Sequence, residues 1–195
     1  MLGVVTGGGT GMGRAICEAL ASEGCSVALC DVDMEAAAET QRICRSISPT
    51  GTISTHSCDV SSEESVESFR DAVVKAHGDA GSINLLFNNA GIAGGGSFLG
   101  SIEDRTKWDK TFAVDWGGVY NCCRCFLPLL VASEQACVLN TSSVNGFWAT
   151  VGAASMHTAY SAGAMLSDVS TCLPLATALI HHQCDLSRSC TVRHS

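Results

Sequence analysis

A glycine-rich turn near the start of the chain constrains the fold more than any other sequence feature. Residues 6–13 read Thr-Gly-Gly-Gly-Thr-Gly-Met-Gly and directly follow the apolar run Leu2–Val5. Ile16 and Leu20 then continue an apolar pattern at helical spacing. Glycine permits a tight turn, and the N–H groups at the start of a helix attract anions. A glycine-rich turn between a strand and a helix is therefore typical of a phosphate-binding site.

The spacing of the glycines excludes two other phosphate-binding motifs. A P-loop requires Lys directly after its last glycine, but Arg14 follows Gly13. The GxGxxG spacing is also absent, because Met12 stands where its third glycine is required. The remaining pattern, TGxxxGxG, makes Gly7, Gly11, Met12 and Gly13 the candidate contacts of a pyrophosphate.

Apolar runs and helical patterns alternate along the chain. Four further strands are predicted, at 26–30, 52–56, 83–87 and 137–140. Helical patterns lie between them, the longest over 104–130, where Pro128 is expected to end or kink the helix. Strands that alternate with helices predict a doubly wound parallel sheet, flanked by helices on both faces, in an α/β, Rossmann-like domain.

An acidic residue follows the second predicted strand. Asp31 stands 18 residues after Gly13, where a carboxylate can accept hydrogen bonds from the ribose hydroxyls of an adenosine. Its charge would repel a 2′-phosphate, and the next residue, Val32, offers no cation to offset that repulsion. The sequence therefore favours NAD over NADP as the cofactor. The alternative for Asp31 is a solvated side chain without a ligand.

Composition excludes several classes of partner. The 195 residues carry 11 Lys and Arg against 19 Asp and Glu, a net charge of −8, so we expect no nucleic-acid partner. No apolar run approaches the length of a membrane span, and no secretory signal is visible, so we expect no membrane partner. The 12 cysteines predict buried, reduced thiols and a cytoplasmic protein rather than a metal site.

Several motifs in order resemble the short-chain dehydrogenase/reductase family over about residues 2–163. The glycine pattern is of that family's type, and Cys58-Asp59-Val60 resembles its adenine-contacting segment, which makes Asp59 and Val60 candidates. The segment 88–91, Asn-Asn-Ala-Gly, matches a motif that borders the cofactor, through Asn89, Ala90 and Gly91. Residues 140–143 resemble the strand that delivers a catalytic serine, and Tyr160 begins the family's YxxxK motif.

The resemblance implies hydride transfer between a nicotinamide and a small alcohol or ketone. Tyr160 would exchange a proton with the substrate oxygen and also border the cofactor. Ser143, preferred to Ser142, would donate a hydrogen bond to that oxygen. The resemblance also implies a homodimer or homotetramer, built from the helices near 104–130 and after Tyr160.

Two positions depart from the family pattern. Asp115 stands where the family has a catalytic asparagine, and it cannot donate a hydrogen bond when ionised. Ala164 stands where the lysine of YxxxK is expected, through a substitution or a two-residue deletion before Gly163. His157 is a weak candidate for a substitute cation.

After Ser167 the family pattern ends. We expect an NAD-binding domain over 1–167 and an atypical tail over 168–195, with the C-terminal strands of the family missing. Three interpretations stay open: an NAD-dependent oxidoreductase with impaired activity, a catalytically silent nucleotide-binding or dimerising protein, and a truncated product without function.

Overall fold

A computed structural model of the chain describes residues 1–78, 80–92 and 105–143. The five strands run β1 (Leu2–Thr6), β2 (Ser26–Asp31), β3 (Ile53–Ser57), β4 (Leu85–Asn88) and β5 (Cys137–Asn140). The helices are α1 (Gly11–Ser22), α2 (Met34–Ile47), α3 (Glu63–Ala76), α4 (Thr106–Phe112) and α5 (Gly118–Val131). A π-helical segment, Ala113–Gly117, joins α4 to α5.

The strands form one parallel sheet in the order β3-β2-β1-β4-β5. The register pairs Gly3 with Val27 on one side and with Leu85 on the other, and β4 continues to β5 through Leu85 and Cys137. The order reverses between β1 and β4, so the carboxyl ends of these strands border a crevice of the kind that binds ligands in open α/β sheets. The predicted Rossmann-like fold is confirmed.

Apolar residues cover both faces of the sheet. One face carries the side chains of Val5, Val27 and Leu29, which pack with Cys17 of α1 and Cys44 of α2. The opposite face packs against α3 and α5. These helices contribute Phe69 and Phe126, whose rings meet edge to face with centroids 5.5 Å apart. Two covered faces explain why the strands are apolar runs rather than alternating patterns.

Local signals set most of the helix ends. The carboxylate of Asp33 accepts from the N–H groups of Glu35 and Ala36 and so begins α2. The hydroxyl of Ser62 accepts from the N–H of Ser65 and begins α3. Of the two effects expected of Pro128, an end or a kink, it does not end the helix, because α5 continues to Val131.

The predicted buried thiols are confirmed in the described part of the chain. Its nine cysteines are all free, and seven of them are buried. Within the same residues, no helix combines the length and apolar character required to cross a membrane. The tail over 168–195 and the predicted domain boundary at 167 lie outside the described residues.

Candidate functional site

The candidate residues gather at the carboxyl edge of the sheet. Strand β1 ends in the glycine turn, β2 ends at Asp31, and β4 ends at Asn88, directly before the segment 89–92. Because parallel strands place their carboxyl ends at one edge, motifs far apart in sequence meet there. The turn and the segment 89–92 lie in direct contact across the crevice between β1 and β4.

The glycine turn is packed tightly, and at two of its positions a side chain would meet backbone atoms. A Cβ at Gly7, whose φ is +63°, would stand 2.8 Å from the Cα of Ala90. A Cβ at Gly13 would stand 2.0 Å from the Gly7 carbonyl oxygen. Both glycines are therefore required by the close approach of backbones, which brings the start of α1 against the turn.

The first turn of α1 is open to an anion. Thr10, the residue before the helix, forms no side-chain hydrogen bond to the first-turn amides, and no acidic side chain lies in that turn. Gly11 has a φ of +53° with open space where a side chain would be, and Met12 is exposed. The helix N-terminus thus presents N–H groups and positive potential towards the crevice edge.

Asp31 is tied to the turn by its carboxylate. The N–H of Gly9 donates to Oδ2 at 2.8 Å, and the N–H of Asp33 donates to Oδ1 at 3.0 Å. Each carboxylate oxygen keeps a further acceptor site, so Asp31 can still receive two hydroxyl groups of a ribose. Val32 beside it is 72% exposed and offers no charge.

Asp59 and Val60 lie after β3 in different surroundings. The Oδ1 of Asp59 accepts from both the N–H and the hydroxyl of Ser61, which form a local turn. Val60 is buried against Gly118, and its carbonyl accepts from the Nδ2 of Asn121 at 3.0 Å. Asp59 is exposed at the sheet edge, whereas the side chain of Val60 is part of the core.

The segment after β4 is fixed by hydrogen bonds to β1. Asn89 donates through Nδ2 to the carbonyls of Thr6 and Gly7, at 3.2 and 3.3 Å. The hydroxyl of Thr6 accepts from the N–H groups of Asn89 and Ala90, each at 3.0 Å. Asn89 and Ala90 therefore hold the glycine turn in place, and Gly91 continues the segment at the surface.

Asp115 lies in the π-helical segment and is only 5% exposed. Its Oδ1 accepts from the N–H of Ile92 at 2.8 Å, which ties the helix to the segment after β4. Its Oδ2 is buried and has no hydrogen-bond partner among the described residues. Burial raises the pKa of Asp115 to about 6, against the smaller lowering effect of the Ile92 N–H.

Ser143 lies three residues after β5, at the same edge, and is partly buried. Thr141 lies between the end of β5 and Ser143. Its N–H donates to the Asn88 carbonyl at 2.9 Å and so extends the pairing of β5 with β4. Tyr160, Ala164 and His157 lie outside the described residues.

Sequence reasoning missed the residues that hold the Gly9 carbonyl. Arg14 donates to that oxygen through Nη2 at 2.6 Å and through Nε at 3.1 Å. The hydroxyl of Thr40, on α2, lies 3.0 Å from the same oxygen and is completely buried. Arg14 directly follows the glycine motif, so its position in the sequence indicates that it can contact the turn. Thr40 lies 31 residues from Gly9, and no local pattern indicates its contact.

One group of side chains in the described residues has the composition of a metal site. Glu63, Glu67 and Cys125 place their ligand atoms within 4.8 Å of one another. Arg124 forms an ion pair with Glu63, so a cation already neutralises part of the acidic charge. Burial also raises the pKa of Cys125, which disfavours the thiolate that binds metals.

Comparison with known proteins gives a consistent result. A family model described as short chain dehydrogenase matches residues 3–171. The meso-2,3-butanediol dehydrogenase of Serratia marcescens is 36% identical over 152 residues, which cover 77% of this chain and 56% of that protein.

Two solved structures share the fold and carry a nicotinamide cofactor. A metagenomic short-chain oxidoreductase in complex with NADP has a TM-score of 0.79 at 28% identity, covering 88% of this chain and 75% of that one. A short-chain dehydrogenase/reductase from Burkholderia phymatum in complex with NAD has a TM-score of 0.78 at 34% identity, covering 86% and 58%. The chain spans about half the length of the curated relatives it matches.

Proposed function

The chain belongs to the short-chain dehydrogenase/reductase family, and on that premise we propose that it binds NAD, in preference to NADP, and transfers a hydride between this cofactor and a small alcohol or ketone. The observation that carries the proposal is the glycine turn, bonded to Asp31 on one side and to Asn89 on the other. This arrangement joins a phosphate cradle to a ribose acceptor at the edge where such folds bind dinucleotides.

The residues of the turn fit a dinucleotide. The backbone of Gly7 and Gly11 and the first N–H groups of α1, including those of Met12 and Gly13, would hold the pyrophosphate. Asp31 would accept from the adenosine ribose. A side chain at Gly7 or Gly13 would meet backbone atoms, so the tightness of the cradle depends on glycine there.

Charge at the ribose favours NAD. Asp31 stands beside exposed Val32, and Asp33 follows with a second carboxylate. A 2′-phosphate would meet these negative charges without a neighbouring cation from residues 32–33. Asp59 and Val60 would border the adenine, and Asn89, Ala90 and Gly91 would border the nicotinamide half.

In the proposed reaction the cofactor supplies or accepts the hydride, and the chain controls the proton. Tyr160 would donate a proton to the carbonyl oxygen during reduction, and Ser143 would donate a hydrogen bond to the same oxygen. Without the family's lysine, a tyrosine has a pKa of about 10, so that about one molecule in a thousand is ionised at pH 7. A neutral phenol can still donate a proton, so reduction of the carbonyl does not require the ionised tyrosine.

The missing lysine also supports a second candidate function. Ala164 brings no charge to the position where the family has a cation. Loss of tuned proton transfer costs on the order of 10²–10⁴ in rate, which is enough to leave a nucleotide-binding protein without useful turnover. Both candidate functions predict cofactor binding, so binding does not distinguish them. Turnover of a substrate does.

Turnover is therefore the experiment that tests the proposed function. We expect NADH to reduce small ketones slowly, and we expect Tyr160→Phe to remove that activity while NADH binding is retained. Ala164→Lys should raise the rate if a lysine was substituted, and insertion of Ser-Lys after Ala162 should raise it if two residues were deleted. A protein that binds NADH but reduces no ketone in any of these forms would support the silent candidate.

A partly exposed row of aromatic rings supports a homodimer. Phe112, Trp116 and Tyr120 follow one another every four residues, with ring centroids 5.3 and 5.9 Å apart. Tyr120 is 44% exposed, and Phe112 and Trp116 are partly exposed. Covering it with a second copy would bury apolar area. We expect Trp116→Glu to convert a dimer, or a tetramer built from dimers, to monomers in size-exclusion chromatography.

The free thiols of the described residues support a reducing, cytoplasmic location. Fractionation of the source cells would test this prediction.

A further inference from the structure

Asp115 connects the helix α4–α5 to the cofactor site through a chain of contacts. Its Oδ1 accepts from the N–H of Ile92, and a Cβ at Gly91 would lie 3.4 Å from the same oxygen. The segment that ends at Ile92 begins with Asn89, which bonds the carbonyl of Gly7 in the glycine turn. Asp115 is thus connected to the turn through the four residues of the segment 89–92.

The two oxygens of the Asp115 carboxyl differ in their hydrogen bonding. Oδ1 has the Ile92 N–H as its donor at 2.8 Å, whereas Oδ2 is sealed from water and receives no hydrogen bond from the described residues. None of the ion pairs in this part of the chain includes Asp115. An ionised carboxylate here would be a buried charge with one donor from the described residues, which is costly, whereas a neutral acid carries no such charge.

Among the described residues, the surroundings of Asp115 contain little charge to offset ionisation. The segment 89–92 carries no ionisable side chain, and neither do residues 140–143. On the helix that continues from it, Cys122 and Cys123 are thiols whose pKa burial raises, so they are neutral at pH 7. On α4, Lys107 and Lys110 are exposed, and Asp109 is engaged with Arg105 at the surface. Burial accordingly dominates, and the pKa of Asp115 is raised.

We propose that Asp115 is a proton-dependent positioning residue: as a neutral acid it keeps the segment 89–92 packed against the helix, and on ionisation it draws water to Oδ2 and loosens that packing. This inference rests on the proposed function in one respect, that the loosened segment borders the cofactor and weakens its binding. The first part concerns the protein alone and is tested without a ligand.

The ligand-free test compares the parent with Asp115→Asn, which keeps the acceptor for Ile92 and cannot ionise. The parent should lose thermal stability relative to this variant as the pH rises from about 4 to about 6, because the folded protein holds the proton more tightly than the unfolded chain. Above that window the difference should be constant. Asp109→Asn, which removes an exposed carboxylate on α4, is the matched control. The parent should show no such loss of thermal stability relative to this control between about pH 4 and about pH 6. A constant difference between parent and Asp115→Asn at every pH would overturn the proposal.

The ligand test measures the binding of NAD⁺ by calorimetry at pH 5 and pH 7.5. If only the protonated form is competent, about one molecule in 30 is competent at pH 7.5, and the affinity of the parent falls by up to about 30-fold. Asp115→Asn should bind with nearly equal affinity at both values. Equal pH dependence in the two proteins would overturn the positioning role while leaving the proposed function intact. Failure of both folded proteins to bind NAD⁺ at either pH would instead contradict the proposed function, and the ligand-free test would still decide the first part.

Discussion

Gly13 leaves no room for any side chain larger than hydrogen. Its hypothetical Cβ would overlap the Gly7 carbonyl oxygen and lie 2.7 Å from the Nδ2 of Asn89, so it would meet backbone on one side and a bonded side chain on the other. Gly11 differs, because its φ of +53° alone disfavours a side chain, and no atom of the described residues beyond its own helix and chain neighbours would lie within 4 Å of a Cβ there. One turn therefore contains glycines required for two separate reasons.

The first prediction compares alanine at these two positions. Gly11→Ala should cost roughly 1–2 kcal/mol of the free energy of unfolding, because only the left-handed backbone conformation is penalised. Gly13→Ala should cost more, about 3 kcal/mol or beyond, because backbone must move and the Asn89 bonds are lost. Urea unfolding of both variants measures the difference. Equal costs at the two positions would contradict the described packing.

At the scale of elements, a long helical pattern contains a change of helix type that its periodicity does not reveal. The sequence predicts one helix over 104–130, whereas the structure has α4, a π-helical segment and α5 in continuous succession. The π-helical segment adds a residue to the turn and places Asp115 towards Ile92. Hydrophobic spacing cannot show this, because the change in period extends over a single turn.

Strand boundaries show a similar limit. The fourth strand was predicted at Ile83–Phe87 but begins at Leu85, because the N–H of Ile83 donates to the Leu129 carbonyl of α5 instead of to a strand. The glycine turn and the ends of β1 and β2 were predictable, since their signals lie within a few residues of one another. The bonds of Thr40 and Asn89 to the turn were not, since their partners are brought close only by the fold.

The second prediction concerns the contact between α5 and the segment after β3. A Cβ at Gly118 would stand 2.6 Å from the Cγ2 of Val60. Gly118→Ala should therefore destabilise the protein by about 1–3 kcal/mol through overpacking. Val60→Ala alone should also be destabilising, because it leaves a cavity.

The double variant with both changes tests the contact directly. It should be more stable than the sum of the single effects allows, with a coupling of about 1 kcal/mol or more in a double-mutant cycle. Strict additivity would show that Gly118 and Val60 do not meet.

At the scale of the whole molecule, stability responds to pH through groups in two places, edge strand β3 and the π-helical segment. On edge strand β3, the hydroxyl of Ser54 lies 2.8 Å from the Nε2 of His56 and 2.9 Å from the Nε2 of His77. Burial lowers the pKa of both histidines, and the charge of His77 lowers that of His56 further. Both imidazoles are therefore neutral in the folded protein at pH 7.

The third prediction follows from the sign of these shifts. A depressed pKa means that the unfolded chain takes up protons first, so the stability due to the neutral imidazoles is present above about pH 6.5 and is lost as the pH falls below it. The Asp115 contribution has the opposite sign, since it decreases as the pH rises from about 4 to about 6. Thermal unfolding of the double variant His56→Gln, His77→Gln between pH 5 and 7.5 separates the histidine contribution from that of Asp115. The thermal stability of the variant should fall less than that of the parent as the pH is lowered. An unchanged acid dependence would contradict the account of the histidines.

The central claim is that the glycine turn and Asp31 form an NAD site, and the most direct measurement is titration of the folded chain with NADH and with NADPH, followed by the fluorescence of the reduced nicotinamide. We predict saturable binding of NADH, binding of NADPH weaker by about ten-fold or more, and a smaller difference in Asp31→Asn, which removes the charge but keeps an acceptor for the Gly9 N–H. Folded protein that binds neither nucleotide, or that binds NADPH at least as tightly as NADH, would contradict it.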